Sequence, residues 1–136
     1  MKEKVFPADT AALDDVLGFA EEALEQAGCN TKMIMQLTVA LEEIFVNVAN
    51  YAYPKGNGSV RISIEFDNEN NSVLFRIADK GIPFDPLAKP DPDITLSAEE
   101  RQIGGLGIFI CKMAMDEISY ERKNDENILT MKKILK

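Results

Sequence analysis

Two alternating stretches separated by a short polar gap constrain this chain more than any other feature. Val60, Ile62, Ile64 and Phe66 take turns with Arg61, Ser63 and Glu65, and the alternation returns at Val73, Phe75 and Ile77. A period of two marks a strand with one face buried and one face wet. Two such strands joined by a turn over residues 67–71 form a hairpin, whose apolar face needs a covering layer. The material for that layer comes first in the chain. Asp9 or Thr10 caps a helix running to residue 26, with Leu13, Val16, Leu17, Ala20 and Leu24 at helical spacing, and Gly28 ends it. Asn30 or Thr31 opens a second helix through residue 53, stopped by Pro54 and the turn at residues 55–58.

The remaining segments fit the same plan. Residues 2–7 suit a short first strand, residues 105–115 a third helix, and residues 117–122 and 128–135 two closing strands around a turn at 123–126. Residues 80–103 show no period, and Pro83, Pro86, Pro90 and Pro92 forbid regular structure over much of that stretch. So long a loop in a compact domain is a functional lid or a disordered segment. The order β-α-α-β-β-lid-α-β-β describes one α+β domain over residues 1–136. It is a two-layer α/β sandwich with a mostly antiparallel sheet and three helices on one face.

Composition removes several classes of function. The 136 residues carry a net charge of −8, which argues against a nucleic-acid partner, because affinity for phosphate backbones comes from clustered Lys and Arg. There is no histidine, which excludes His-based metal sites, Ser-His-Asp hydrolysis and a phosphohistidine carried on this chain. Apolar runs such as residues 108–111 are too short to span a bilayer, and no secretory signal follows Met1. Cys29 and Cys111 match no metal or redox spacing, so reduced thiols in a cytoplasm are expected.

Three places carry chemistry. The second helix is apolar nearly all round over residues 39–52, yet it holds Glu42, Glu43, Asn47 and Asn50. Glu43 and Asn47 are four apart and share a face. Such groups in buried surroundings cost a few kcal/mol unless paired. Mg2+ with phosphate would pair them, and so would neighbouring backbone. Asp79 has the parity of Val73, Phe75 and Ile77, so it points under the helix layer, where it meets either a ligand donor such as a purine amine or its own turn backbone. Gly81 beside it leaves room for a flat ring. Gly104, Gly105 and Gly107 precede or open the third helix, where backbone N–H groups and the helix dipole suit an anion; a flexible helix entry has the same composition. Neither the Rossmann fingerprint nor a Walker loop fits, since no third glycine follows residues 105–107 at the required spacing and no strand precedes them, while residues 55–59 lack the spacing and the helix.

Taken in succession, residues 43–47, 79–85 and 104–107 resemble the N, G1 and G2 boxes of the GHKL (Bergerat-fold) ATPases. The resemblance covers essentially the whole chain. Residues 50–53, 79–85 and 104–118 narrow it to the anti-sigma-factor serine/threonine kinases of bacterial partner-switching pathways, the RsbW type. The resemblance implies ATP and Mg2+ as cofactors, with Asn47 on Mg2+ and Glu43 as general base. Asp79 would take the adenine amino group with Gly81 beside the ring, and Gly105, Leu106 and Gly107, following Gly104, would hold the phosphates. Arg101 would reach the terminal phosphate. Asn127 shares parity with Leu129 and Met131 and would lie inward near the adenine, where similar ATPases often have threonine. Tyr51 is a second departure, at a position often histidine. The implied activity is phosphoryl transfer to a Ser or Thr of an anti-sigma-factor antagonist, a STAS-domain protein that competes with a sigma factor. A homodimer is implied too. Two other readings stay open: an ATP-binding module that docks a partner without catalysis, and a detached ATP-binding domain of a sensor histidine kinase.

Overall fold

The computed structural model describes residues 1–88 and 105–135. Strands β1 (Lys2–Pro7), β2 (Ser59–Asp67), β3 (Ser72–Asp79), β4 (Glu117–Lys123) and β5 (Glu126–Ile134) form one sheet in the order β1-β2-β3-β5-β4. Every neighbouring pair is antiparallel, so the expected mostly antiparallel sheet is wholly so among the described strands. Helices α1 (Leu13–Gln26), α2 (Thr31–Tyr51) and α3 (Gly105–Ala114) supply the second layer. The two-layer α+β sandwich expected from the periodicity is the fold observed.

Strand alternation decides what the sheet buries. Val60, Ile62 and Ile64 of β2, Val73, Phe75 and Ile77 of β3, and Leu129 and Met131 of β5 share one core with the helices. Val16, Ala20 and Leu24 come from α1, Leu37, Leu41, Ile44 and Phe45 from α2, and Ile108 and Cys111 from α3. Each large aliphatic or aromatic side chain buried there contributes about 1.5–3 kcal/mol. The opposite face is polar. Arg61 on β2 reaches across the small Ala78 of β3 to Glu126 on β5, with Nη1 3.1 Å from Oε2 and Nη2 3.4 Å from Oε1.

Caps set the helix ends. Asp9 accepts a hydrogen bond from the Ala11 N–H at 2.9 Å, but it caps a 3-10 turn (Thr10–Ala12) that leads into α1. Asn30 caps α2 through the Met33 N–H at 2.8 Å. Gly28, with φ of +84°, takes the left-handed conformation that ends α1. α2 stops at Tyr51, two residues short of the expected boundary, and leaves Tyr53 free for a different use. β5 starts at Glu126 rather than 128, because Asn124 and Asp125, with φ of 52° and 62°, make a tight two-residue turn. Pro86–Ala88 forms a short 3-10 turn at the root of the irregular stretch. Most of the expected lid lies outside the described residues. Among those described, no helix is long and apolar enough to cross a membrane.

Candidate functional site

At one end of the sheet the inward-facing row turns from apolar to polar. Val60, Asp79, Asn127 and Arg122 stand opposite one another across β2, β3, β5 and β4. The next row inward is Ile62, Ile77, Leu129 and Tyr120. Asp79 and Asn127 are only 4% and 6% exposed, so the parity reading that turned both inward holds.

Two buried polar groups side by side must pair or pay for desolvation. Asp79 Oδ1 accepts from the Gly81 N–H and from Asn127 Nδ2, both at 2.9 Å. Among the described residues no donor reaches Asp79 Oδ2. Asn127 Nδ2 also donates to the Ile82 carbonyl at 2.7 Å, and its Oδ1 accepts from the Tyr120 hydroxyl at 2.6 Å and the Phe84 N–H at 3.3 Å.

The segment after Asp79 is fastened on every side. The Lys80 N–H donates to the Tyr53 hydroxyl at 2.8 Å, and that hydroxyl donates to the Ser59 carbonyl at 2.6 Å. The Ile82 N–H donates to the Ala52 carbonyl at 2.9 Å, and Arg122 Nη1 to the Gly81 carbonyl at 2.8 Å. A Cβ on Gly81 would collide with the Ala52 carbonyl, so the space Gly81 leaves clear is taken by the end of α2 rather than by an open ring site. Tyr51, at the position noted as a departure, sets its ring 6.0 Å from that of Phe84. Tyr120 and Arg122 were not among the residues singled out in the sequence, and Tyr53 entered only as the expected end of the second helix and within residues 50–53. Tyr53 and Arg122 bond partners 27 and 41 residues away, and Tyr120 reaches Asn127 across the turn between β4 and β5.

Two hollows open beside α2, and Asn47 lines both. The first holds about 370 Å³ counting its mouth. Its walls are mostly apolar (Ile44, Val48, Ile77, Leu129 and Phe84 among them), with Asp79, Asn47, Asn127 and Tyr120 as its polar groups. That composition suits a flat, largely apolar ligand with a few polar edges. The second, of about 390 Å³ with its mouth, is lined by Glu43, Asn47, Asn50, Tyr51, Gly107 and Ile108. Glu43 and Asn47 are half-buried and share the α2 face, as their spacing requires. Glu43 lies against α3: a Cβ on Gly107 would run into its carboxylate. Its charge also reaches the fully buried Cys111, whose thiol is pushed up to about 12, first by burial and then by Glu43. Cys111 donates to the Ala40 carbonyl at 3.2 Å, which holds α3 on α2.

Gly105, Leu106 and Gly107 open α3, and Gly107 lines the second hollow. Arg101 and Gly104 lie outside the described residues. Among those described, no group of three or more Asp, Glu, Cys or His stands together as a metal cage.

The comparisons with known proteins agree with this fold. The model of the family described as histidine kinase-like ATPase domain matches residues 6–133. The chain is similar to the serine/threonine-protein kinase BtrW of Bordetella bronchiseptica, 26% identical over 117 residues, which cover 86% of this chain and 82% of that protein. It is 29% identical to the serine-protein kinase RsbW of Listeria monocytogenes over 97 residues, covering 68% of this chain and 61% of the relative. Against the Staphylococcus aureus RsbW the identity is 29% over 115 residues, covering 82% and 72%. The chain thus spans about three fifths to four fifths of the kinases it matches. In fold it resembles a solved structure of the RsbU and RsbW domains of a Mycobacterium tuberculosis protein, with a TM-score of 0.69 at 14% identity, covering 99% of this chain and 33% of that one. The catalytic domain of the histidine kinase ThkA gives a TM-score of 0.56 at 15% identity, covering 99% and 98%. With the match running from β1 to β5 through both hollows, the chain belongs to the family of histidine kinase-like ATPase domains.

Proposed function

We propose that this chain is an anti-sigma factor and protein serine/threonine kinase of the RsbW type, which uses Mg2+-ATP to phosphorylate a STAS-domain antagonist in a partner-switching pathway. The observation that carries the reading is the buried Asp79, whose Oδ2 has no donor among the described residues while it lines a mostly apolar hollow. An adenine amino group supplies that donor, and the apolar walls supply its ring with contacts. Asn47 stands where the two hollows meet, so a nucleotide lying across both would bring its phosphates past it. Mg2+ held by Asn47 and the phosphates would neutralise charge on the transferring group. The amides of Gly105, Leu106 and Gly107 would receive phosphate oxygens at the start of α3. The roles of Gly104 and Arg101 follow the resemblance alone.

Glu43 is the general base in this reading. It lies in the second hollow with Asn47 and next to the start of α3, within the region that would hold the terminal phosphate. There it would take the proton of an incoming protein hydroxyl as the phosphoryl group leaves ATP. Gly81 and Asn127 serve the site by seating Asp79 and the loop behind it. A homodimer in the cytoplasm completes the reading, with a sigma factor as the competing partner.

Two measurements test it. Incubation with radiolabelled ATP, Mg2+ and a co-encoded STAS-domain protein that carries a candidate Ser or Thr is expected to label one such residue of that protein. No transfer, with ATP still bound, would leave a nucleotide-sensing module without catalysis. Asn47→Ala is expected to abolish the Mg2+-ATP-dependent rise in melting temperature; a rise equal to that of the unsubstituted protein sinks the site assignment.

A further inference from the structure

The turn between α2 and β2 holds an Asn-Gly pair. Of the nine asparagines in the sequence, Asn57 alone is followed by glycine. Residues 55–57 are exposed, and no hydrogen bond engages the Asn57 side chain or the Gly58 N–H among the described residues. The backbone on both sides is held. The Gly56 N–H donates to the Tyr53 carbonyl at 2.8 Å with Gly56 at a φ of +87°, and the Gly58 carbonyl accepts from the Ala8 N–H at 2.9 Å. Asparagines of the β2–β3 turn are placed differently. Asn70 is bonded to Asp67 through its backbone N–H and its side chain, and Asn71 donates to the Leu135 carbonyl. A glycine nitrogen has no Cβ beside it to shield it, so the side-chain carbonyl one residue back can be reached. Glycine is also fixed here, because a Cβ on Gly58 would collide with the ring of Tyr53.

We propose that Asn57 is a self-modification site, at which the folded chain converts asparagine to isoaspartate and so loosens the junction that Tyr53 makes behind the candidate site. Asparagine is chemically labile, and the exposed turn supplies the water the reaction needs. The Gly58 nitrogen attacks the side-chain carbonyl carbon of Asn57 and a C–N bond forms. The NH2 group leaves as ammonia, taking up the Gly58 proton, and a five-membered succinimide remains. Water then opens the ring. Attack at the side-chain carbonyl restores the ordinary backbone with an aspartate at position 57. Attack at the main-chain carbonyl breaks the original peptide bond and routes the chain through Cβ, as isoaspartate. The net change is water in and ammonia out, with no oxidation. Either product adds a negative charge, and isoaspartate also adds a methylene to the main chain. That methylene enters just before Gly58 and Ser59, whose carbonyls accept from Ala8 and Tyr53. The same Tyr53 hydroxyl holds the Lys80 N–H beside Asp79. The chemistry is the same whatever ligand the two hollows take.

The test is ageing of the purified chain in mildly alkaline buffer, well below its melting temperature, beside Asn57→Gln, whose longer side chain would have to close a less favourable six-membered ring. Peptide mass spectrometry and carboxyl methylation by an isoaspartate-specific methyltransferase read the product, and circular dichroism confirms that both proteins stay folded. The mass gain of NH2 exchanged for OH should build up at residue 57 ahead of every other asparagine, and the methylation signal should be lost in Asn57→Gln. Hydrogen exchange on the aged chain should then show the Lys80 amide opening sooner than in the fresh chain, a change that aged Asn57→Gln does not undergo. Modification that begins at another asparagine, or that reaches residue 57 only in urea, overturns the assignment. Isoaspartate at residue 57 with Lys80 exchange unchanged overturns the link to Tyr53.

Discussion

Cys111 shows how one buried atom reports on its surroundings. Its thiol is fully buried, donates to the Ala40 carbonyl and sits within the field of Glu43, and it titrates near 12 rather than at the ordinary 9.0. A folded-state value above the unfolded one means that the folded chain binds more protons between the two. Stability from this group is therefore complete below about pH 9 and is lost as pH rises toward about 12. Urea denaturation across that range should show a steeper alkaline fall for the unsubstituted chain than for Cys111→Ala; parallel curves would contradict the burial argument. Much of the candidate site was legible at this scale. A spacing of four put Glu43 and Asn47 on one face, and parity turned Asp79 and Asn127 inward, because both periods follow from backbone geometry. Gly81 was legible as a place of close approach, but the approaching group is the Ala52 carbonyl, and no local pattern records which distant atom fills a space.

Elements are joined here by side chains that no periodicity singles out. Tyr53 follows α2, yet its hydroxyl accepts from the Lys80 N–H and donates to the Ser59 carbonyl, so it ties α2, β2 and the end of β3 together. A Cβ on Gly58 would collide with its ring, so the glycine in that turn makes room for the tyrosine. Tyr53→Phe keeps the ring and removes both bonds, and should cost about 1–3 kcal/mol in chemical denaturation. The loss should appear as faster amide exchange at Lys80 before the rest of the sheet; uniform acceleration would mean that the hydroxyl holds no particular junction. The links from Tyr53 to Lys80 and from Arg122 to Gly81 span 27 and 41 residues, which is why the sequence left them unread. Element type was legible for the strands and the three α-helices, though not for the short 3-10 turns at Thr10–Ala12 and Pro86–Ala88. Boundaries were less so: the close of α2 and the start of β5 depend on one carbonyl and on two left-handed residues.

For the molecule as a whole, the strand order β1-β2-β3-β5-β4 matters most. Four strands precede β5 in the chain, yet β5 lies between β3 and β4 and supplies Leu129 and Met131 to the core. A chain ending at residue 125 should therefore show no cooperative melting by circular dichroism, since it loses both the partner of β4 and one side of β3; a sharp transition would show that three paired strands and three helices suffice. The same order has a temporal meaning during synthesis. A ribosome delivers β1, β2 and β3 early, but Asp79 stays without its cross-strand neighbour until Asn127 leaves the exit tunnel. The open side of β3 and the unpaired β4 are exposed sheet edges for that interval, the kind of surface nascent-chain chaperones cover. The polar row that defines the candidate site is thus completed only after all five strands have been made.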